Sequence, residues 1–589
     1  LDQLIKSVGA DVLFSQWLGK FGEAVDSGSA EAVSGLFETD GYWKDMLSLS
    51  WDYELFSGGD EIRAGFARLS GPSGFGKIRP AEGRTPPSKC RRGGRDVIEG
   101  FFEFSTASGW GLGFVRLALE AGNEPRAWLL LTALYGLDSA PERVGDLRPS
   151  GDEFAKYMTT ENWADRRAQE ILYEDRDPEV IVIGAGQAAL SLSARLKTMG
   201  VDVLLVDRSE RVGDSWRGRY HTLSLHNPTY GNHMPYMPFP EAWHKWLPKD
   251  KLADWLEAYA QTFELNIWTG TSVVSGSFDE QSKSWSVLVR RADGSERLMK
   301  CRQLVFSTGI SGSIPNMPKF PGIETFKGEV LHSAQFASAK DYKGKKALVI
   351  GTGNSGHDIA QDLTVNGASR VVMAQRGPTC VVSLRPTAER VFAVYAGEAP
   401  VEEVDLITAV LPYPLLVDTY KWLVKRARTE DAALTESLNA RGMKTYYGDD
   451  DTGFHMMYLR GQGGYYIDVG CSRLIAEGKV EIQNYDEIDC FVPEGARLKD
   501  GTILEFDLIV AATGFRNMQE NIRQVLGDGI ADSIGPVWGM DEKYLMRNMW
   551  RRTAQEGLWV MGGGLIEARM FSRMLALQVA ASLRGDMQP

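Results

Sequence analysis

Glu179-Val-Ile-Val-Ile183, Gly184-Ala185-Gly186-Gln187-Ala188-Ala189, a helical stretch from Leu190 to Met199, and Val201–Val206 ending at Asp207 follow one another without interruption. The first run is apolar throughout, as a parallel strand buried on both faces requires. Gly184 permits the tight turn after it, and Gly186 lets a backbone approach a pyrophosphate. Ala189 takes the place of the third glycine, where helix packs on strand. Free N–H groups at the helix start, at Gln187 and Ala188, then face an anion. Asp207 closes the second strand where a carboxylate accepts hydrogen bonds from ribose hydroxyls, with Arg208 beside it.

The same grammar recurs at Ala347-Leu-Val-Ile350, Gly351-Thr-Gly353-Asn354-Ser355-Gly356, a helix to about Leu363, and a strand Arg370–Ala374. Here the second strand runs into Gln375-Arg376 and not into an acid. A carboxylate at that place repels a 2′-phosphate, whereas arginine pairs with it in a bidentate fashion. The first fingerprint therefore suits FAD and the second NADPH, and two such folds on one chain imply hydride passing from NADPH to flavin. The fold class is α/β, with two Rossmann-type dinucleotide-binding domains preceded by a small α+β domain.

Organisation follows outward from these units. Residues 1–145 read as the α+β domain. Val12, Leu13, Trp17, Leu18, Phe21 and Val25 recur at helical spacing, a short helix follows at Ala30 to Phe37, and strands are predicted at Leu47–Leu55, Val97–Phe104, Gly111–Leu119 and Arg126–Leu134. Residues 146–177 read as linker, with a helix near Asn162–Leu172. Residues 178–340 and 490–589 are assigned to the FAD domain and 341–489 to the NADPH domain, interrupted by a helical insertion at about 400–445. At 589 residues several such cores are expected.

Composition narrows the function. A formal charge of −13 excludes a nucleic-acid footprint. The basic stretch from Lys77 to Arg95 is rich in Gly and Pro and reads as a solvated hairpin loop. Cys90, Cys301, Cys380, Cys471 and Cys490 are scattered, so there is no local redox dithiol, which disfavours a disulfide reductase. The apolar run Leu406 to Val417 is broken by Pro412 and Pro414 and is too short to span a bilayer. A cytoplasmic protein without a stable membrane anchor is expected, acting on a small molecule and O2, with a homodimer as the expected assembly.

Three further stretches carry a family resemblance. Gly213-Asp-Ser-Trp216 resembles the GGxW element of class B flavin monooxygenases, with Asp214 in place of the second glycine. Phe326-Lys-Gly328-Glu-Val-Leu-His332-Ser-Ala-Gln-Phe336 matches their FxGxxxHxxx(Y/F) identifying motif, and Ala512-Thr513-Gly514-Phe515 matches their ATGF motif. The resemblance covers about residues 178–585. Ala337 stands where Baeyer–Villiger members carry proline, so the similarity is greater to the flavin-containing monooxygenases, including relatives of the plant indole-3-pyruvate enzymes. It implies an FAD- and NADPH-dependent monooxygenase in which oxygen adds to flavin C4a as a (hydro)peroxide and one oxygen atom passes to an amine or thioether. Oxygenation of a ketone or 2-oxo acid is the alternative, and an NADPH oxidase or flavin redox sensor a second one.

In that chemistry a dry pocket and a protecting hydrogen bond replace a catalytic triad. Asn227 aligns with the family asparagine near the oxygen-reaction site and is the catalytic candidate; a turn asparagine is its other reading. His226 and Trp216 are cofactor-binding candidates, Trp216 fitting a core position equally well. Thr513, Gly514 and Phe515 complete the cofactor set by resemblance, and His332 serves a linker role. Residues Gly41-Tyr-Trp-Lys-Asp45 through Asp52 to Ile62 resemble the nuclear transport factor 2-like, or SnoaL-like, cone, in which Asp45 and Asp52 are acid–base candidates.

Overall fold

The structure, a computed structural model, describes residues 9–119, 124–151, 160–310, 313–461 and 463–587. The N-terminal unit begins with helix Ala10–Asp26, whose Leu13, Phe14, Trp17, Leu18, Phe21 and Val25 fall on one buried face. With helices Ala30–Ser34 and Gly58–Ser73 it covers a seven-stranded sheet. Its path runs Tyr53–Ser57, Phe37–Met46, Arg126–Leu137, Gly109–Ala118, Arg95–Ser105 and Gly76–Pro80, with Ser88–Arg92 also paired to Arg95–Ser105. The strand expected at Leu47–Leu55 is displaced. Residues 37–46 form the long strand, Leu47 takes a positive φ of 70°, and pairing resumes only at Tyr53. The basic stretch is also corrected from loop to strand. Ser88–Arg92 turns at Gly93-Gly94 into Arg95–Ser105, and Arg92 and Arg116 both bind Glu99, at 2.8 and 2.6 Å.

Both faces of the sheet's three long strands, Arg95–Ser105, Gly109–Ala118 and Arg126–Leu137, are dry. Phe102, Val115 and Leu130 point at its own helices. Phe101, Phe114, Leu129 and Leu131 join the core of the following domain, together with Leu406 and Ala409. Polar contacts fix the docking. The Tyr53 hydroxyl donates to the Trp550 carbonyl (3.0 Å), Arg551 pairs with Asp52 (2.5 Å), Lys44 Nζ donates to the Ala409 carbonyl (2.9 Å) and the Tyr135 hydroxyl to Glu402 (3.2 Å). The connecting stretch carries helix Trp163–Glu170, closed at its start by a capping box between Asn162 and Asp165. Residues 152–159 of it lie outside the described residues.

The first nucleotide sheet is parallel, in the order Asn266–Trp268, Val203–Val206, Val180–Ile183, Gln303–Phe306, Leu558–Val560. The second is also parallel: Glu329–His332, Leu508–Ala511, Lys346–Ile350, Arg370–Gln375, Glu481–Asn484. This moves the expected boundaries, because strands from 329–332 and 508–511, assigned above to the FAD unit, complete the second sheet. A parallel sheet admits strands from distant stretches whenever connections cross between domains, and sequence order does not mark where they do. Each fingerprint strand lies at a strand-order reversal, where a crevice opens at the carboxyl ends. The insertion comprises helices Val401–Ala409, Tyr413–Glu430, Ala432–Asn439 and Gly453–Gly461. It lies between Cys380–Ser383 and Tyr465–Asp468, which pair in parallel. Among the described residues no helix is long and apolar enough to cross a membrane.

Candidate active site

At the first fingerprint Gly184 has φ +111°, and a Cβ there would collide with the Ser307 carbonyl oxygen, so only glycine fits the turn. Around Gly186 a Cβ would meet nothing within 4 Å. Gly186 caps helix Gln187–Thr198 without any side-chain cap, so the first N–H groups look into open space. Ala188 is buried against the sheet and Arg208 is exposed. Asp207 holds the loop, accepting from Ala185 N (2.7 Å) and Ser209 N (2.8 Å). Gln187 links two more segments: it accepts from Trp216 Nε1 (3.2 Å) and donates to the Gly563 carbonyl (3.1 Å). Trp216 is therefore half-buried beside the fingerprint loop, joined through Gln187 to the glycine turn before the C-terminal helix Leu565–Arg584. These residues fit a flavin dinucleotide: a glycine cradle, an uncapped helix start and a carboxylate at the strand end.

The second fingerprint repeats the geometry. Gly351 has φ +114° with the Ala512 carbonyl against it, and Gly356 abuts the Gly351 carbonyl, the close helix–strand packing that excludes a side chain. Gly353 caps helix Asn354–Val365, again without a side-chain cap. Asn354 Oδ1 accepts from Ile467 N (2.9 Å), tying the loop to the strand that follows the insertion. Ser355 lies half-buried next to Tyr220. Arg376 is exposed and, among the described residues, has no ion-pair partner. Gln375 clamps the Lys444 backbone from both sides, donating to its carbonyl (2.9 Å) and accepting from its N–H (2.7 Å). That brings an exposed lysine to the same strand end as Arg376. Lys444 carried no sequence signal, since its neighbourhood is made by the insertion folding back.

Thr513, Gly514 and Phe515 lie on the chain returning from the second sheet, crossed with the outgoing one. Thr513 Oγ1 donates to the Asn316 carbonyl (2.6 Å) and Asn316 N to the Gly514 carbonyl (2.9 Å). His332 closes this crossing. Its Nδ1 accepts from Ala334 N (3.1 Å), so Nε2 carries the proton and donates to the Gly514 carbonyl (2.9 Å), with Phe515 edge-on at 5.2 Å. Burial lowers its pKa and keeps it neutral. The identifying motif and the ATGF motif thus meet at the hinge between the two sheets.

Asn227 lies in strand Ser224–Pro228, half-buried, its carbonyl accepting from Asn232 (3.2 Å). Among the described residues its side-chain amide has no hydrogen-bond partner. His226 beside it is driven by burial down to about 4 and is neutral. The following loop is fixed by Arg569, which is fully buried. Arg569 forks onto Asp405 (2.8 and 2.7 Å) and also donates to the Gly231 (2.8 Å) and His233 (2.7 Å) carbonyls. It is a positioning residue holding the Asn227 loop, the insertion and the C-terminal helix together. Arg569→Met is expected to cost about 3–5 kcal/mol in chemical denaturation, because Asp405 is left buried and uncompensated. A joint Arg569→Met, Asp405→Leu replacement is expected to recover most of that loss.

The N-terminal acids do not form a site. Asp45 is fully buried, accepting from Ser48, from Thr132 (2.5 Å) and from Leu49 N (2.9 Å), while Asp52 is engaged by Arg551. The interior of the unit is filled by Phe14, Phe21, Trp43, Phe66 and Phe102. Burial raises Asp45 to about 7, and its carboxylate is taken up by the three donors Ser48, Thr132 and Leu49 N. No group of three potential metal ligands occurs among the described residues, and the five cysteines are free.

Comparison with known proteins agrees with this geometry. The family model for flavin-binding monooxygenase-like proteins matches residues 177–390. The chain is 29% identical over 389 residues to indole-3-pyruvate monooxygenase YUCCA1 of Oryza sativa subsp. japonica, covering 65% of this chain and 86% of the relative. It is 30% identical over 417 residues to the probable indole-3-pyruvate monooxygenase YUCCA7 of Arabidopsis thaliana, covering 69% and 88%. In fold it is similar to the crystal structure of OTEMO in complex with FAD and NADP (18% identity, 70% and 85% covered, TM-score 0.52). Two fingerprints in order, the crossed hinge between them and this likeness over most of the relatives' length have one reading: the chain belongs to the flavin-binding monooxygenase-like family.

Proposed function

We propose that the chain holds FAD on the Gly184–Asp207 fingerprint and NADPH on the Gly351–Arg376 fingerprint, and transfers one oxygen atom of O2 to a small organic substrate, N- or S-oxygenation being its principal reaction. The observation that carries the reading is the pair of uncapped helix starts. One is followed by Asp207, the other by the exposed cations Arg376 and Lys444, which have no ion-pair partner among the described residues. When bound, FAD reduced by NADPH supplies the activation of oxygen. The chain's own residues bind and shield. Gly186 and the N–H groups of Gln187 and Ala188 receive the diphosphate, Asp207 the ribose, and Arg376 with Lys444 the 2′-phosphate. Asn227 offers its free amide beside neutral His226, a polar but uncharged wall that keeps protons and bulk water from the reacting edge. Trp216 and Gln187 fix that edge to the glycine turn at 562–564.

The N-terminal unit is read as a SnoaL-like cone that has become a brace, its sheet spent on the flavin module. The names of the plant relatives favour a second reading, oxidative decarboxylation of a 2-oxo acid. Turnover under 18O2 with an amine, a thioether, a ketone and a 2-oxo acid tests the proposal. One 18O atom in an N- or S-oxide supports it; label only in a carboxylic acid derived from the 2-oxo acid selects the second reading; hydrogen peroxide as the sole product removes both.

A further inference from the structure

Helix Val401–Ala409 opens the insertion and carries Glu402, Glu403 and Asp405, of which Glu403 and Asp405 are buried. A helix this short does not hold itself in water, and its start has no side-chain cap. Its place is set by its partners. On one side these belong to the N-terminal unit. Glu403 accepts from Thr85 N (3.1 Å) and Thr85 Oγ1 (2.5 Å), with the Arg84 guanidinium at 3.6 Å. The Tyr135 hydroxyl donates to Glu402 (3.2 Å). The far end is held by Lys44 Nζ on the Ala409 carbonyl (2.9 Å) and by Arg116 on the Ile407 carbonyl (3.4 Å). Arg84 and Thr85 lie between strands Gly76–Pro80 and Ser88–Arg92, inside the basic stretch, so the insertion supplies that stretch with an acidic partner.

The same helix leads to the Asn227 loop. Glu402 also accepts from Arg195 (3.0 Å) on the first fingerprint helix and from Arg573 (3.2 Å) on the C-terminal helix. Asp405 takes the Arg569 fork and the Tyr395 hydroxyl (2.8 Å). Arg569 in turn holds the Gly231 and His233 carbonyls, and Tyr395 packs over Gly231, where a Cβ would stand 3.6 Å from its ring. Between those two carbonyls the buried Asn232 donates its amide to the Asn227 carbonyl (3.2 Å). An unbroken path of polar contacts thus runs from Thr85 and Tyr135, through one short helix, to the backbone of Asn227. Buried charges along it cannot move without losing a partner, which leaves the path few arrangements.

We propose that the N-terminal unit is a positioning module for oxygenation: Lys44, Thr85 and Tyr135 set helix Val401–Ala409, and the helix, through Asp405 and Arg569, sets the Asn227 loop. This rests on the monooxygenase reading above and gives the additional unit a part in it. Lys44, Thr85 and Tyr135 are positioning residues that act through the helix. With the helix released, Asp405 and Arg569 stay paired but shift with it, and the Gly231 and His233 carbonyls follow. The Asn227 amide then leaves its place and water reaches the reacting edge. NADPH, a proton and O2 end as NADP+ and hydrogen peroxide, with no oxygen atom passed to the substrate.

The test removes the N-terminal contacts and leaves the helix sequence intact, with Lys44→Met, Thr85→Val and Tyr135→Phe made together and singly. Amide hydrogen exchange is read on the apoprotein and on the FAD-loaded enzyme. In the joint variant it is expected to quicken about tenfold at residues 401–410 and 229–233. Exchange in the fingerprint helix Gln187–Thr198 is expected to keep the native rate. The share of NADPH oxidation that ends as hydrogen peroxide, measured with an oxygenated substrate present, is expected to rise about threefold or more. Thr85→Ser, which keeps the hydroxyl, is expected to match the native enzyme in both readouts. Loosening at 401–410 that stops short of 229–233 overturns the proposal. So does a uniform rise over the whole chain, or an unchanged peroxide share with a loosened loop. Should the joint variant not fold, Thr85→Val and Tyr135→Phe alone decide by the same pattern. A native enzyme whose oxygen all ends as peroxide would instead overturn the monooxygenase reading. Exchange needs no turnover and still judges the path, so the two failures are distinguishable.

Discussion

Gly186→Val is expected to give a folded protein without flavin. A Cβ at this position meets no protein atom within 4 Å, and the backbone is extended (φ −79°), so valine costs the apoprotein little. The space it enters is the approach to the open N–H groups of helix Gln187–Thr198, where the FAD diphosphate is received. FAD occupancy after purification, read from the absorbance ratio of flavin to protein, is expected to fall more than tenfold, a loss of at least about 1.4 kcal/mol in binding. Melting should match that of deflavinated native protein, because only the stabilisation by bound ligand is lost. Gly184→Val provides the contrast. There φ is +111° and the Ser307 carbonyl blocks the side chain, so both flavin and fold are expected to suffer. If Gly186→Val retained flavin, the diphosphate would have to bind elsewhere.

The second large effect concerns coenzyme choice. Arg376→Ala is expected to lower kcat/KM for NADPH by about 10- to 100-fold, the worth of charge-assisted hydrogen bonds to a 2′-phosphate, while leaving NADH unchanged. Lys444→Ala acts in the same direction but less, since lysine offers a point charge and not a planar fork. The pair replaced together is expected to bring NADPH and NADH to near parity. Calorimetric titration with NADP+ and NAD+ gives the same comparison without turnover. Equal losses with both coenzymes would mean that Arg376 supports the strand end and does not read the phosphate.

Both fingerprints were legible because glycine spacing, strand, helix and terminal residue are all local in sequence. Gly184, Gly186, Asp207, Gly351, Gly353 and Arg376 could be named before any coordinates. The hinge was half legible: the motifs at 326–336 and 512–515 stood out, but their meeting through His332 and the Gly514 carbonyl depends on crossed connections. The same crossing explains why strands 329–332 and 508–511 were placed in the wrong domain. The docked face of the N-terminal sheet left a trace in Trp128-Leu-Leu-Leu131, too apolar for a strand with one wet side, but nothing local names what covers it. Lys444 and Arg569 were not legible from local pattern. Each acquires its place from a partner between 69 and 338 residues away, through Gln375 and through Asp405 with the Gly231 carbonyl respectively.

The most direct test of the account is rapid mixing. The FAD-loaded protein is reduced anaerobically with NADPH, mixed with oxygenated buffer, and followed by its absorbance spectrum. The account predicts a long-lived species absorbing in the near ultraviolet, distinct from oxidised flavin, whose decay speeds up when an oxidisable amine is added. Immediate return to oxidised flavin with stoichiometric hydrogen peroxide, unaffected by any substrate, would contradict it, and the assignment of Asn227 to the protecting wall would fall at the same time.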